Sequence, residues 1–362
     1  MRPRASPSRL LRIALPLALL ASACERPPSA SPPDASPSNA APSAPTATAP
    51  APTPTASAVD GSPPAADASF LPPASAPDLP ASLRAAVDAA AVALHTRAVT
   101  HVDIDAFVLV DADHGPHFAR AVDLTRKALD ALYDGRFDKH PSAAVTVFVF
   151  SDQDAYQRFC SARVDGSCPT NFGQYDRRSR EIVLHATKGA ETTLHELVHP
   201  ILAQADFPRA PAFLDEGIAA LYENPVFCAK GHITGMSNWR YDDVKRALDA
   251  PDDPGPSRLE GLFAMDTVSF LTLDPAHPET GPTDLAKENR HYGLSRYFAQ
   301  WADRQGKLWP FYRAWRAGIA TDPRGEKAFA AVFGKTLGQA SPDFEAYVRR
   351  LAPPATENPC PP

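Results

Sequence analysis

Apolar residues along the chain follow two periods, and the change from one to the other divides the sequence. Leu83 to Val99 reads as an Ala-rich helix, Ile104 to Val110 as a strand, and His117 to Tyr133 as an amphipathic helix with apolar residues three and four apart. Val145 to Phe150 is β-branched and aromatic throughout and predicts a buried strand; Asp154 to Cys160 predicts a short helix and Glu181 to His185 a further strand. Helical spacing then takes over, in Thr192 to about Ala205 and in Pro211 to Glu223, the latter stopped by Asn224-Pro225. Residues 230 to 283 are rich in Pro, Gly and Asp and read as irregular connections. Leu285 to Arg304, Pro310 to Ala317, Glu326 to Phe333 and Pro342 to Leu351 predict closing helices, the last with Ser341 as its cap and Pro342 at the first helical position. Strands followed by helices predict an α+β domain over about 81–352, large enough for a substantial core, with a short tail at 353–362.

Composition changes this picture at the N-terminus. Arg2, Arg4, Arg9 and Arg12 precede an apolar run from Ile13 to Ala21 that is too short to span a bilayer, the pattern of an export signal over 1–23. The run ends in Leu20-Ala21-Ser22-Ala23-Cys24, which resembles a lipobox and implies a lipid on Cys24; an ordinary signal peptide with an incidental cysteine is the alternative. Glu25, in place of an aspartate, favours the outer membrane of a bacterial envelope. Over 24–80 the chain is nearly all Pro, Ala, Ser and Thr, with 16 of the 40 prolines, which predicts a semi-stiff disordered tether.

Net charge is −6 with no basic stripe, which excludes nucleic acid as the expected partner. Five cysteines become four if Cys24 carries a lipid, and an oxidising compartment would pair Cys160, Cys168, Cys228 and Cys360. Three pairings are open; Cys160 with Cys168 and Cys228 with Cys360 is the preferred one, because the first two are close enough to clip a loop. There is no G-x-S-x-G elbow and no Walker-type loop, and a Cys–His hydrolase conflicts with that compartment.

The chemistry lies in His195-Glu196-Leu197-Val198-His199, an H-E-x-x-H motif. Residues four apart share a helix face, so both imidazoles can reach one metal, while Glu196 lies one step round, beside a metal-bound water. Leu194, Leu197, Val198, Ile201 and Leu202 form the stripe that anchors this helix in a core. A zinc needs a third protein ligand, and Glu216, 17 residues after His199 on the next helix, is the candidate. Against this stand plainer readings: half-buried structural histidines, a solvated Glu216, and a capping box made by Thr193 with Glu196. Pro200 directly after His199 removes a helical hydrogen bond and predicts a kink or a helix end at the motif. Asp215 and Asp206 are the candidate acids behind the histidines.

His195 to His199 followed by Phe213-Leu214-Asp215-Glu216-Gly217-Ile218-Ala219 resembles the gluzincins, most closely the bacterial peptidase-MA-like domains, over roughly Val102 to Leu351. The resemblance implies a thermolysin-like catalytic domain. It further implies zinc on His195, His199 and Glu216, Glu196 as general base, and a later tyrosine or histidine stabilising the oxyanion. Tyr292 is the first candidate for that last role and His291 the second, with a core aromatic in line with Leu285, Tyr297 and Phe298 as the plainer alternative for Tyr292. The expected protein is a monomeric zinc peptidase acting on a peptide or protein substrate from a lipid anchor. The competing expectation is a non-catalytic envelope lipoprotein that uses the same fold as a binding module.

Overall fold

Val145–Phe150 is buried at every position, so both faces of this strand must be covered, and it forms the middle of a sheet. The computed structural model describes residues 81–163, 172–188, 190–208, 210–228, 232–249, 259–277, 281–351 and Cys360. The signal segment 1–23, the tether 24–80, Cys24, Cys168 and the tail 353–362 apart from Cys360 lie outside the described residues.

Five strands make the main sheet: β1 (His101–Ile104), β2 (Phe107–Asp111), β3 (Val145–Phe150), β4 (Gly173–Asp176) and β5 (Glu181–His185), in the order β1-β2-β3-β5-β4. The central pairs β2/β3 and β3/β5 are parallel, while β1/β2 and β4/β5 are antiparallel, which makes the sheet mixed with antiparallel edges. Ile104 to Val110, read from sequence as one strand, is a hairpin instead. Asp105 takes φ +53°, the left-handed conformation that turns the chain between β1 and β2, and alternation alone does not register so tight a turn.

Helix α1 (Ala81–Ala93) ends earlier than its composition predicts, just before His95 adopts φ +53°. Helix α2 (Phe118–Tyr133) crosses over between β2 and β3 and buries Val122, Leu129 and Leu132 with Val145, Val147 and Val149 in the main core. On the opposite face, α3 (Gln153–Arg163) packs Phe159 at a tilt against Phe148 and Phe150, with ring centroids 4.7 and 5.1 Å apart.

After β5 the chain is mainly helical. Helix α4 (Ala190–Pro200) lies along β4, and α5 (Ala212–Leu221) packs on both α4 and α9 (Leu285–Arg304). A short hairpin of β6 (Pro225–Phe227) and β7 (Ile233–Gly235) follows α5. The segment 230–283, expected to be irregular, also holds α6 (Tyr241–Asp249), α7 (Leu259–Ala264) and α8 (Thr267–Phe270), elements too short for their period to stand out. The closing helices are α10 (Leu308–Gly318), α11 (Glu326–Phe333) and α12 (Leu337–Arg350). Phe263, Phe298, Phe311, Trp315 and Phe329 pack ring on ring between them as a second focus of the core.

Helix α12 starts well before Ser341. Thr336 caps it with a reciprocal capping box to Gln339, and Ser341 is interior, its hydroxyl donating to the Leu337 carbonyl and accepting from Leu259 N–H. Two satisfied end groups outweigh one, so Pro342 is carried inside the helix. The result is an α+β fold with a small mixed sheet and a helical second half. No helix among the described residues is long and apolar enough to cross a membrane. Cys228 and Cys360 form a disulfide with Cα atoms 5.6 Å apart, as preferred from sequence. Cys160 is buried and disulfide-bonded, while Cys168, its expected partner, lies outside the described residues.

Candidate metal centre

Helix α4 begins at Ala190, so Thr193 is interior and the capping-box reading of Thr193 with Glu196 does not hold. Pro200 has no N–H to offer the Glu196 carbonyl and is the last α-helical residue, yet the chain does not break. It continues at φ −65° into a π-helical turn, Ile201–Asp206, closed by Phe207 N–H on the Leu202 carbonyl. The metal motif thus sits on the last two regular turns, with its imidazoles on one face and ring centroids 4.9 Å apart. Both point at α5. Glu216 Oε2 lies 3.5 Å from His195 Nε2 and 3.8 Å from His199 Nε2, and each of the three side chains is 11% exposed. Their ligand atoms all fall within 4.8 Å of one another, a group that could hold a metal ion.

Each histidine is backed on its other nitrogen. His199 Nδ1 lies 2.9 Å from Asp215 Oδ1, a hydrogen bond that leaves Nε2 free for the group it shares with Glu216. Asp215 also meets Arg177 Nη2 at 3.4 Å, and the ring of Tyr175 on β4 lies parallel to that of His199, with centroids 6.4 Å apart. His195 Nδ1 lies 3.4 Å from Glu223 Oε1, an ion-pair contact and not a well-formed hydrogen bond. Of the two acids singled out from sequence, Asp215 is therefore at the site and Asp206 is not. Asp206 accepts from the Tyr312 hydroxyl at 2.6 Å and Asp138 N–H at 3.2 Å and pairs with Arg316, because the π turn aims it into the core. Glu223 is the residue that sequence reasoning missed. The signal was present: in the helix read from sequence as Pro211 to Glu223, position 223 falls seven residues, two helical turns, after Glu216 and so on the same face, although α5 itself ends at Leu221.

The electrostatics describe a place that favours positive charge. Burial opposes protonation of His195, but Glu216, Glu223 and Glu196 outweigh it and raise its pKa well above the usual histidine value. His199 is raised in the same way, with Asp215 and Glu216 outweighing burial. Burial works against ionised Glu216 as well, yet His199, His195 and Arg240 hold its carboxyl below the usual range. Burial opposes ionised Glu223 too, but Arg240 and His195 outweigh it and hold that carboxyl below the usual range. Two imidazole nitrogens and one carboxylate oxygen are a donor set suited to zinc.

Glu196, one step round α4, has its stem against β4. A methyl group at Gly173 would come within 3.3 Å of Glu196 Cγ and 2.5 Å of Thr192 Cγ2, so the bare glycine is what lets α4 lie this close to the strand. Burial pushes the Glu196 carboxyl up, His195 and His199 pull it down, and Glu216 and Glu223 add to the rise. Tyr292 packs against Phe270, 5.3 Å away between centroids, with the Arg240 guanidinium 4.8 Å from its ring. His291 turns Nδ1 to the Phe270 carbonyl at 2.7 Å, which ties α9 to α8.

No protein-family model matches the chain, and no curated protein matches it. What the centre can do therefore follows from its own atoms: a buried His195–His199–Glu216 cluster, carboxylates behind both rings, and a buried Glu196 at its edge.

Proposed function

We propose that this chain is a zinc-dependent peptidase with a thermolysin-like, gluzincin type of active site. The observation that carries the reading is the convergence of both Nε2 atoms on one oxygen of Glu216 while a carboxylate stands behind each ring. A cluster kept only for folding has no need to aim two imidazoles at one carboxylate and support both from behind. His195, His199 and Glu216 would hold the zinc, which when bound supplies an acidified water and polarises a carbonyl.

The protein's own groups divide the remaining work. Asp215 fixes the ring orientation and tautomer of His199 through its hydrogen bond, and Glu223 faces the Nδ1 of His195 so that Nε2 is turned to the cluster. Glu196, buried between the cluster and β4, accepts the proton of the attacking water and returns it to the leaving amine. The Tyr292 hydroxyl is the candidate donor to the oxyanion. The compartment proposed with this function is the bacterial envelope, with a lipid on Cys24; the mass of the mature N-terminus reads it directly.

The experiment is Glu196→Gln, which keeps the shape and the ability to hydrogen-bond but removes the ability to take a proton. Zinc content and melting temperature should match the wild type, and cleavage of a peptide mixture should fall by at least about 100-fold. Equal cleavage rates in the two proteins would refute the mechanism. Wild-type protein that binds zinc but cleaves nothing would mark a binding module instead.

A further inference from the structure

Among the described residues, Arg240 is an unusually costly side chain to place where it is. It is 1% exposed, and its guanidinium lies 4.1 Å from the Trp239 ring and 4.8 Å from that of Tyr292. Its fork meets Glu223 on both oxygens, Nε donating to Oε2 at 2.9 Å and Nη2 to Oε1 at 2.9 Å. Asn238 Nδ2 donates to Glu223 Oε2 at 2.7 Å, and Asn238 Oδ1 accepts from Arg240 N–H at 3.1 Å. Asn238 is in turn seated on α9, where its N–H meets the Tyr297 hydroxyl at 3.3 Å. A buried ion pair of this kind gains a fold little over apolar residues of the same volume, because desolvation offsets the attraction. What it does supply is direction. A carboxylate gripped by a planar two-pronged donor and by a third donor cannot rotate. The oxygen thus fixed, Glu223 Oε1, is the one that faces His195 Nδ1 at 3.4 Å.

We propose that Arg240 is a positioning residue of the metal centre, holding Glu223 so that Glu223 sets the ring of His195 with its Nε2 toward Glu216. The inference rests on the metal-centre reading above and deepens it. It also gives the β6–β7 hairpin a function. Glu223 and Arg240 flank that hairpin in sequence, so the pair closes its base, together with Asn224 Nδ2 on the Ser237 carbonyl at 2.9 Å and Met236 N–H on the Asn224 carbonyl at 2.9 Å. The orientation of a metal ligand on α4 is thereby fixed by a residue beyond the hairpin, which neither touches the metal group nor belongs to the helices that carry it.

The test separates positioning from mere support. The double variant Glu223→Leu/Arg240→Met removes both charges and fills the space, and Arg240→Lys keeps the charge but loses the fork. Zinc affinity is measured by competition with a chelator, the fold by the melting temperature of the metal-free protein, and ligand geometry by the visible spectrum of the cobalt-loaded protein. For the double variant, a melting temperature near that of the wild type, an affinity about 10- to 100-fold weaker and an altered cobalt spectrum are expected. Arg240→Lys should move affinity and spectrum in the same direction. A folded double variant with wild-type affinity and spectrum would overturn the inference and leave the peptidase reading standing. Should the double variant fail to fold, wild-type affinity in Arg240→Lys overturns the inference alone. Wild-type protein that binds no zinc overturns the metal centre, and this inference with it.

Discussion

Gly217→Ala places a methyl group at the closest approach of two helices, next in sequence to the proposed ligand Glu216. Two effects of opposite sign compete. Alanine is the better helix former by about 1 kcal/mol, so an exposed site would gain stability. Here the new carbon would lie 2.8 Å from the Ser295 carbonyl oxygen, 3.0 Å from its carbon and 3.2 Å from Ser295 Cβ. The first two atoms are backbone of α9 and cannot rotate away, so α5 must retreat by roughly 0.7 Å to reach an ordinary contact of about 3.5 Å. Overpacking of this kind costs roughly 1–3 kcal/mol, which exceeds the helical gain and leaves a net loss of about 1 kcal/mol, or a fall in melting temperature of roughly 2–4 °C. The larger effect falls on the metal. Ligand distances tolerate only about 0.2 Å, so a shift of α5 by roughly 0.7 Å should weaken zinc binding at least about tenfold. Gly135→Ala is the control: Gly135 has φ +72° with nothing within 4 Å of a new methyl group, so it should lose about 1 kcal/mol to backbone strain and leave zinc affinity unchanged. Scanning calorimetry and chelator competition on both proteins read the comparison. A melting temperature that rises in Gly217→Ala, or equal zinc affinities in the two variants, would refute this account of the helix contact.

His195→Ala, His199→Ala and Glu216→Ala should each lose most of the one zinc expected per chain, read by elemental analysis; unchanged zinc in Glu216→Ala would mean a different third ligand. In the metal-free protein the raised His195 and His199 pKa values contribute stability that is complete below about pH 6.5 and is lost as pH rises through their folded values. Zinc must displace those protons, so its affinity should climb as pH rises through their raised folded values, by up to ~100-fold per unit while both rings are charged; a flat profile in chelator competition would count against the site. The Cys228–Cys360 bridge spans 132 residues, and its loss in Cys228→Ser should cost on the order of 3–5 kcal/mol in denaturant unfolding, whereas a loss under 1 kcal/mol would mean that the bridge constrains the unfolded chain little.

How much was legible in the sequence depended on how local each cause is. Val145 to Phe150, Glu181 to His185, Leu285 to Arg304 and Glu326 to Phe333 end where their patterns end, since each is long or apolar enough to carry its own signal. The hairpins were not legible. The β1–β2 turn depends on one residue in the left-handed conformation, and β6, β7 and β4 are three or four residues long and defined by their partners. At the metal centre, His195 and His199 were found because helical spacing puts them on one face, and Glu216 because the next helix follows within 17 residues and its stretch resembles the gluzincins. Asp215 was within reach as a neighbour of Glu216. Arg240 was not, because it joins Glu223 across a hairpin that no periodicity announces. Tyr292 was reached through resemblance alone, and its ring lies against the Arg240 guanidinium.

The π-helical turn after Pro200 also bears on how this chain can tolerate changes of length. One turn there carries about one residue more than an α-helical turn would, taken up without a loop. The extra residue falls after His199, so the spacing within H-E-x-x-H is untouched, and its effect is to rotate everything downstream by about a hundred degrees. That rotation is what delivers Asp206 to Tyr312 and Arg316. A single-residue deletion within 201–205 would therefore allow α-helical bonding in place of the π turn, beyond the bond that Pro200 cannot make, and spare both histidines. It would also swing a fully buried carboxylate out of its socket and leave Tyr312 and Arg316 facing an apolar side chain. Local regularity would improve while the distant contact was lost, so this short stretch is a place where the motif itself is indifferent to an insertion or deletion but the domain around it is not.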